Sequence, residues 1–506
     1  MKRYNIAIIA AVMGCSMVNA QNYVDAARFN KCDYEGTARS QAMGSAFGAL
    51  GADMTSQSIN PAGLAAYRAT EMGMGLGVNC NNTETNYYGF SSEEDKVSVP
   101  FSNIGITFNF GNRPEGSGIV NQAFSIAYSR LADYNRYAKY SDSYGYNSML
   151  DYFCNDDQSN DQAHKSYTGG LAYDAGWIID PTDSILMTTN VWESPFDLYQ
   201  LDEAARMDEN GDGAIDHYQY VKENGYKGET SFSYALSVSN LVYIGAAMGI
   251  QSISYREIMT HEESYYGTYN GNAYASYRYG SELKQDATGI NVKLGAIVKP
   301  INALRVGFAI HSPTLFNVQE KYNSWIDGAY DNNVYYSPSG DYKYNYRAPG
   351  KFVASAAGII GKYGIVSFDF ERTNYGKGKF KDEEGGTSQE YDAINQNVKD
   401  AMKVSRTFRV GVEGRIADVL YVRGGYSAQT TPYKKHIMIN DYRHDAICGG
   451  IGFRVSNFFI DLSYVCRRTK DERWVLPDGD YAYEENLPAT IDSKSHNYTL
   501  SFGYRF

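Results

Sequence analysis

"HNYTLSFGYRF", residues 496–506, decides the fold. Tyr498, Leu500, Phe502, Tyr504 and Phe506 alternate with Thr499, Ser501, Gly503 and Arg505. Side chains of an extended strand point alternately to opposite faces, so this stretch has one apolar face and one small or polar face. A strand of that kind suits a wall with lipid on one side and a wet interior on the other.

The same alternation recurs along the chain. In "FRVGVEGR", residues 408–415, Phe408, Val410 and Val412 face one way while Arg409, Gly411 and Glu413 face the other. Fourteen such segments are expected, at roughly 71–79, 102–110, 119–130, 231–238, 242–255, 288–298, 304–312, 351–359, 364–374, 405–415, 419–428, 444–455, 458–467 and 497–506. The uncharged run 230–255 is long enough to suggest a membrane helix, but its serines and the central Ser239-Asn240 read as two strands and a tight turn.

The links test this count. Short ones fall at 111–118, 239–241, 299–303, 360–363, 416–418 and 456–457, and long ones occupy every other gap. That alternation is expected of a mainly β chain forming a transmembrane antiparallel β-barrel of about 14 strands with long extracellular loops. An even strand count puts both chain ends on the periplasmic side of the outer membrane of a Gram-negative bacterium. The terminal strand ending at Phe506 resembles the C-terminal signal by which bacterial outer-membrane barrels engage their assembly machinery, which names that machinery and the outer-membrane lipid as partners.

The N-terminus fits the location. Lys2 and Arg3 precede an apolar run from Ile6 to Met13, and Val18-Asn19-Ala20 offers a cleavage site, so residues 1–20 read as a signal peptide. Val12-Met13-Gly14-Cys15 also resembles a lipoprotein site, the minor reading. The other five cysteines, at 32, 80, 154, 448 and 466, have no close spacing and read as free thiols, although Cys448 and Cys466 fall on neighbouring strands. A net charge of −12 disfavours a nucleic-acid partner. Forty-seven tyrosines suit extensive interfacial surface.

Residues 36–67, "GTARSQAMGSAFGALGADMTSQSINPAGLAAY", are too irregular for a strand. A barrel of this size has a lumen too wide for wall side chains alone to fill, so residues 21–69 are expected to fold into it as a plug, with the barrel at 70–506. At this point the sequence resembles the FadL/TodX family of outer-membrane transporters of long-chain fatty acids and other hydrophobic compounds. The resemblance rests on Ala38-Arg39, "GSAFGALGAD" at 44–53, "SINPAGLA" at 58–65 and "LRVGFAIHSPT" at 304–314. It implies a fourteen-stranded barrel with an N-terminal hatch containing Asn60, Pro61, Ala62 and Gly63. It also implies passive diffusion of a hydrophobic or amphipathic small molecule once that hatch shifts. The residues themselves also allow a plain turn before the first strand, with proline and glycine making a rigid corner.

The resemblance has a limit. The longest loop, expected at 131–229, is acidic and tyrosine-rich, so an apolar capture groove does not carry over. The alternative function is a non-transporting surface barrel whose loops bind a protein partner. An enzyme is not expected: His311 and Ser312 are adjacent and would face opposite ways in a strand, and "HEES" at 261–264 lacks the second histidine of a zinc motif.

The same loop holds "MDENGDGAIDHYQ", residues 207–219. Asp208, Asn210, Asp212 and Asp216 stand at most of the spacing of a calcium loop, with Gly213 for the turn and Ile215 packing inward. Gln219 occupies the twelfth position in place of a bidentate glutamate, which lowers the expected affinity. A structural calcium ion is therefore the one cofactor candidate, against the reading of an acidic turn without metal.

Overall fold

The structure, a computed structural model, describes residues 22–112, 118–145, 147–158, 168–178, 215–265, 268–269, 272–273, 276–329, 332–386, 388–435, 437, 442–476 and 487–506. Fourteen antiparallel staves close on themselves. We number them β1 (Glu71–Tyr87), β2 (Phe101–Asn112), β3 (Ile119–Asp133), β4 (Ile215–Val238), β5 (Val242–Tyr265), β6 (Ser276–Ile301) and β7 (Leu304–His311). They continue with β8 (Lys351–Ile360), β9 (Gly364–Asn374), β10 (Val404–Arg415), β11 (Leu420–Gln429), β12 (Arg443–Val455), β13 (Phe458–Arg473) and β14 (Ala489–Arg505). Closure is made by β1 against β14, in register from Glu71↔Arg505 to Asn86↔Thr490.

Each stave owes its place to alternation. Along β5, Val242, Ile244, Ala246, Met248 and Ile250 face out, while Tyr243, Gly245, Ala247 and Gly249 face in. At ~3.3 Å per residue and a tilt of ~35–45°, that run makes an apolar belt on the order of 20–25 Å tall. Ser239, Asn240 and Leu241 join β4 to β5, with φ of 48° and 57° at Ser239 and Asn240 and the Leu241 N–H closing the turn on the Val238 carbonyl. Among the described residues no helix is long and apolar enough to cross a membrane.

Several staves run far beyond the belt, which corrects the expected loop at 131–229. Residues 131–133 belong to β3, Arg136–Gly145 form a further strand, and β4 starts at Ile215 and pairs with β5 up to Tyr265. The apolar outward signal stops near Ile250, where Ser252, Ser254 and Arg256 follow on the same face. The inward face stays buried through Tyr255, Met259 and His261, so pairing continues where the lipid pattern has ended. Prolines mark this transition on two neighbouring staves: β7 gives way to Thr314–Asp327 at Pro313, and Gly340–Ala348 gives way to β8 at Pro349.

Cys448 and Cys466 do lie on adjacent staves, but their register partners are Val465 and Ile447, so the two side chains face opposite sides and both thiols are free.

The lumen is filled by the N-terminal segment. Helix α1 (Tyr23–Asn30) begins with a capping box in which the Asn22 side chain accepts from the Val24 and Asp25 N–H groups and Asp25 accepts from the Asn22 N–H. Short helices α2 (Ala38–Ala42) and α3 (Ser56–Ile59) follow, then a 3₁₀ turn at Pro61–Ala66. Asn60 caps that turn, its Oδ1 accepting from the Ala62 N–H at 3.1 Å, and Pro61 opens it where no amide donor is needed. Gly51 has a φ of 68° and its backbone lies against Gly63, which leaves no room there for a Cβ.

Candidate functional site

The inward face of the wall is built to hold this segment. A Cβ added at Gly245 or Gly295 would collide with Asn60, Pro61 or Ala62, and one at Gly307, Gly411 or Gly425 would collide with Gly48, Met43 or Gly44. The glycines seen in the sequence as the small face of each stave are thus the seats of the luminal backbone.

Between these seats stand inward charges. Arg39 donates from Nε and Nη2 to Glu413 at 2.9 and 3.0 Å, and Glu413 also receives Arg423, which reaches on to Asp461. Glu35 receives Arg467 at 2.9 Å, while Asp33 pairs with His444 at 2.7 Å. Gly48 donates its N–H to Asp369, Tyr34 its hydroxyl to Glu371, and Ser58 its hydroxyl to Glu229, which is itself paired with Lys293. His311 points inward to the Ile59 carbonyl at 2.9 Å, with Ser312 facing away. The charged inner face therefore does not line open water, as the sequence suggested; it is satisfied by the segment it encloses.

Small apolar contacts complete the fit. Met43, Phe47, Leu50 and Ile59 pack against Leu131, Ala309, Val353 and Ala357, and Leu64 and Ala65 against Ala123, Ala235 and Ile297. Asn60, Pro61, Ala62 and Gly63 are all buried in this assembly.

Beside α1 lies a cavity of about 210 Å³. Its lining mixes rings and charges: Tyr134 meets Tyr255 edge-on at 5.7 Å, Arg28 stacks over Tyr255 at 3.8 Å, Lys31 lies 5.5 Å over Tyr134, Tyr255 donates its hydroxyl to Glu223 at 2.9 Å, and Arg136 and Asp471 also line it. Rings interleaved with charged groups suit a molecule that has an apolar body and a polar head.

At the long-stave end two helices cap the barrel. Helix α4 (Met149–Gln158) and helix α5 (Gly169–Asp174) lie over the long staves, packing Met149, Leu150, Phe153, Leu171 and Trp177 against Tyr140, Ile215, Tyr277 and Tyr279. The cap is tied down at buried Glu263, which accepts from Ser148 Oγ and Met149 N, both at 2.6 Å, and from His261 at 3.0 Å. His217 sits beside it, bonded to Asp142 at 2.6 Å and to the Asn147 carbonyl at 2.8 Å. Burial alone would lower the His217 pKa, but Asp142 and Glu263 outweigh it and raise it to about 9.

The calcium candidates are not brought together by what is described. Asp208, Asn210 and Asp212 lie outside the described residues. Asp216 is in β4, in register with Ser264, and Gln219 lies three residues on, hence on the opposite face, where it is buried.

The wall acids Glu229, Asp369 and Glu371 were not singled out by sequence reasoning. Their signal was present as charges at inward positions between outward apolar residues, as in Phe368-Asp369-Phe370. What they bind could not be read, because their partners lie hundreds of positions away.

No protein-family model matches the chain, and no curated protein matches it by sequence. Solved structures do match over nearly the full length. A FadL homologue of Pseudomonas aeruginosa superposes with a TM-score of 0.57 at 13% identity, covering 93% of this chain and 98% of its own. The toluene transporter TodX of P. putida gives 0.53 at 12%, covering 94% and 99%. The monoaromatic hydrocarbon channel CymD gives 0.50 at 12%, with the same coverage. The fold is that of these FadL- and TodX-type barrels.

Proposed function

We propose that the protein is an outer-membrane channel for hydrophobic or amphipathic small molecules, such as long-chain fatty acids, in which residues 22–67 act as the hatch. The long-loop end faces outward and both termini face the periplasm. The observation that carries this reading is that the fourteen-stave wall is closed by a separate stretch of the chain, tethered to Glu229, Asp369, Glu371 and Glu413. These tethers end on carboxylates and hold the segment by ~1.5–3 kcal/mol net each, but water can take their place once the segment moves, which it cannot do for an apolar core.

The ligand meets the cavity beside α1. Its volume of about 210 Å³ is below the ~300–1,000 Å³ of pockets for drug-sized molecules, so a long chain passes only when the hatch gives way. The fold it shares with structures titled as a toluene transporter and a monoaromatic hydrocarbon channel supports the hydrophobic class.

A disulfide lock tests the gate. Ser58 Oγ meets Glu229 at 2.7 Å, so an S58C/E229C pair bridged by a short reducible bis-thiosulfonate joins hatch to wall. In liposomes, the bridged lock is expected to abolish uptake of a fluorescent fatty acid and a reductant to restore it. Equal uptake in both states would exclude hatch gating.

The second reading, a surface barrel that binds a partner without transport, is favoured by the aromatic cap over the mouth. No uptake by wild type, locked or unlocked, selects it. Phe506, 65% exposed beyond β14, is the contact proposed for the barrel-assembly machinery.

A further inference from the structure

We infer that the outer face around β9 and β10, at the upper rim of the apolar belt, binds the phosphate-bearing headgroup of a membrane lipid. The evidence is a set of cations placed directly against one another. Arg372 on β9 is in register with Arg406 on β10, and both are exposed. Arg347, on the strand that leads into β8, is in register with Lys379, and both are exposed. Among the described residues none of these four makes an ion pair. Like charges set opposite each other across a ladder repel, so each pair opposes folding unless an anion lies between.

The pattern continues round the wall. Arg443 is in register with Lys470, and Arg468 with Lys494. Here acids accompany the cations: Asp445 pairs with Arg443 and Arg468 at 2.5 and 2.6 Å, and Lys470 is also in register with Asp492, so the unbalanced set is Arg372, Arg406, Arg347 and Lys379.

Position names the partner. On β9 and β10 the cation follows the last outward ring of the belt: Phe370 then Arg372, and Phe408 then Arg406. Rings at this height mark the junction of hydrocarbon and headgroups, where a bound molecule has its chains in the belt and its polar part beside the cations. Guanidinium groups in pairs match the oxygen geometry of phosphate. On the opposite side of the barrel Arg256, Lys284 and Lys321 also stand in register, but each is ion-paired, with Glu282, Asp286 and Asp341 respectively. The inference uses the membrane reading above and not transport, so its failure leaves the uptake experiment undisturbed.

Native mass spectrometry of the full chain in detergent tests it, with diphosphoryl lipid A as probe and the dephosphorylated lipid as control. Wild type is expected to retain about tenfold more of the phosphorylated form, and R372Q/R406Q and R347Q/K379Q to lose that preference. R372K/R406K keeps the charge and is expected to keep most of the binding, while K284Q on the far side changes nothing. Folding of each variant is checked by its heat-sensitive gel mobility. Equal retention of both lipids, or retention unchanged in both double glutamine variants, overturns the inference. Full displacement by millimolar inorganic phosphate also overturns it, because the site would then be for a free anion.

Discussion

Arg39 and Glu413 form a two-pronged ion pair between the luminal segment and the wall, with N···O distances of 2.9 and 3.0 Å and both side chains largely buried. Glu413 serves Arg423 at the same time, so one carboxylate balances two guanidinium groups. Replacing it strands Arg39, whereas Arg423 keeps Asp461.

Glu413→Gln is therefore expected to destabilise the seated segment by about 3–5 kcal/mol, the cost of leaving a buried charge without its partner. The measurement is protease cleavage within residues 22–67 in detergent, together with leak of a small dye from liposomes. Both should rise while the barrel keeps its heat-sensitive gel mobility. Unchanged cleavage would mean that the pair does not hold the segment.

Gly295→Ala places a methyl against Asn60 and Pro61, whereas a Cβ at Gly358 meets nothing within 4 Å. The first is expected to cost about 1–3 kcal/mol through overpacking, and the second to be neutral or slightly stabilising. Urea unfolding of the two variants side by side separates them. Equal midpoints would show that the 3₁₀ turn does not rest on that glycine.

The cap carries a pH dependence whose sign follows from His217. Its pKa is raised to about 9 from an ordinary 6.5, so its contribution is complete below 6.5 and is lost as pH rises through 9. Glu263 acts at the other end: burial opposes its charge, but His261, His217 and Ser148 hold its pKa at about 2, so its contribution is lost only in strong acid. Proteolysis of the α4–α5 region is expected to be flat from about pH 4.5 to 6.5 and to rise progressively between about pH 6.5 and 9. In H217Q the alkaline step should vanish.

A calcium ion, proposed for Asp208, Asn210, Asp212 and Asp216, is expected to bind weakly and without Gln219, which faces away from Asp216. Millimolar calcium should then slow cleavage between residues 200 and 214, and D208N/D212N should remove the effect. No protection at any calcium concentration selects the metal-free acidic turn.

How much of this was legible depended on range. The fourteen staves follow from outward apolar residues at every second position, a local property that any ten-residue window displays. The upper staves were missed because lipid no longer imposes that pattern there; Tyr255, Tyr277 and Tyr279 are buried by pairing and packing, which a mixed polar surface does not advertise.

The sequence by itself determined the wall, the turns, the irregular stretch before it and the corner at Asn60-Pro61, because each depends on neighbours along the chain. Only the tertiary structure decided that Glu413 meets Arg39, that Gly295 seats Asn60 and that Arg372 faces Arg406. Those relations are set by strand register and closure, which pair residues as much as 434 positions apart and are an outcome of all fourteen staves pairing at once.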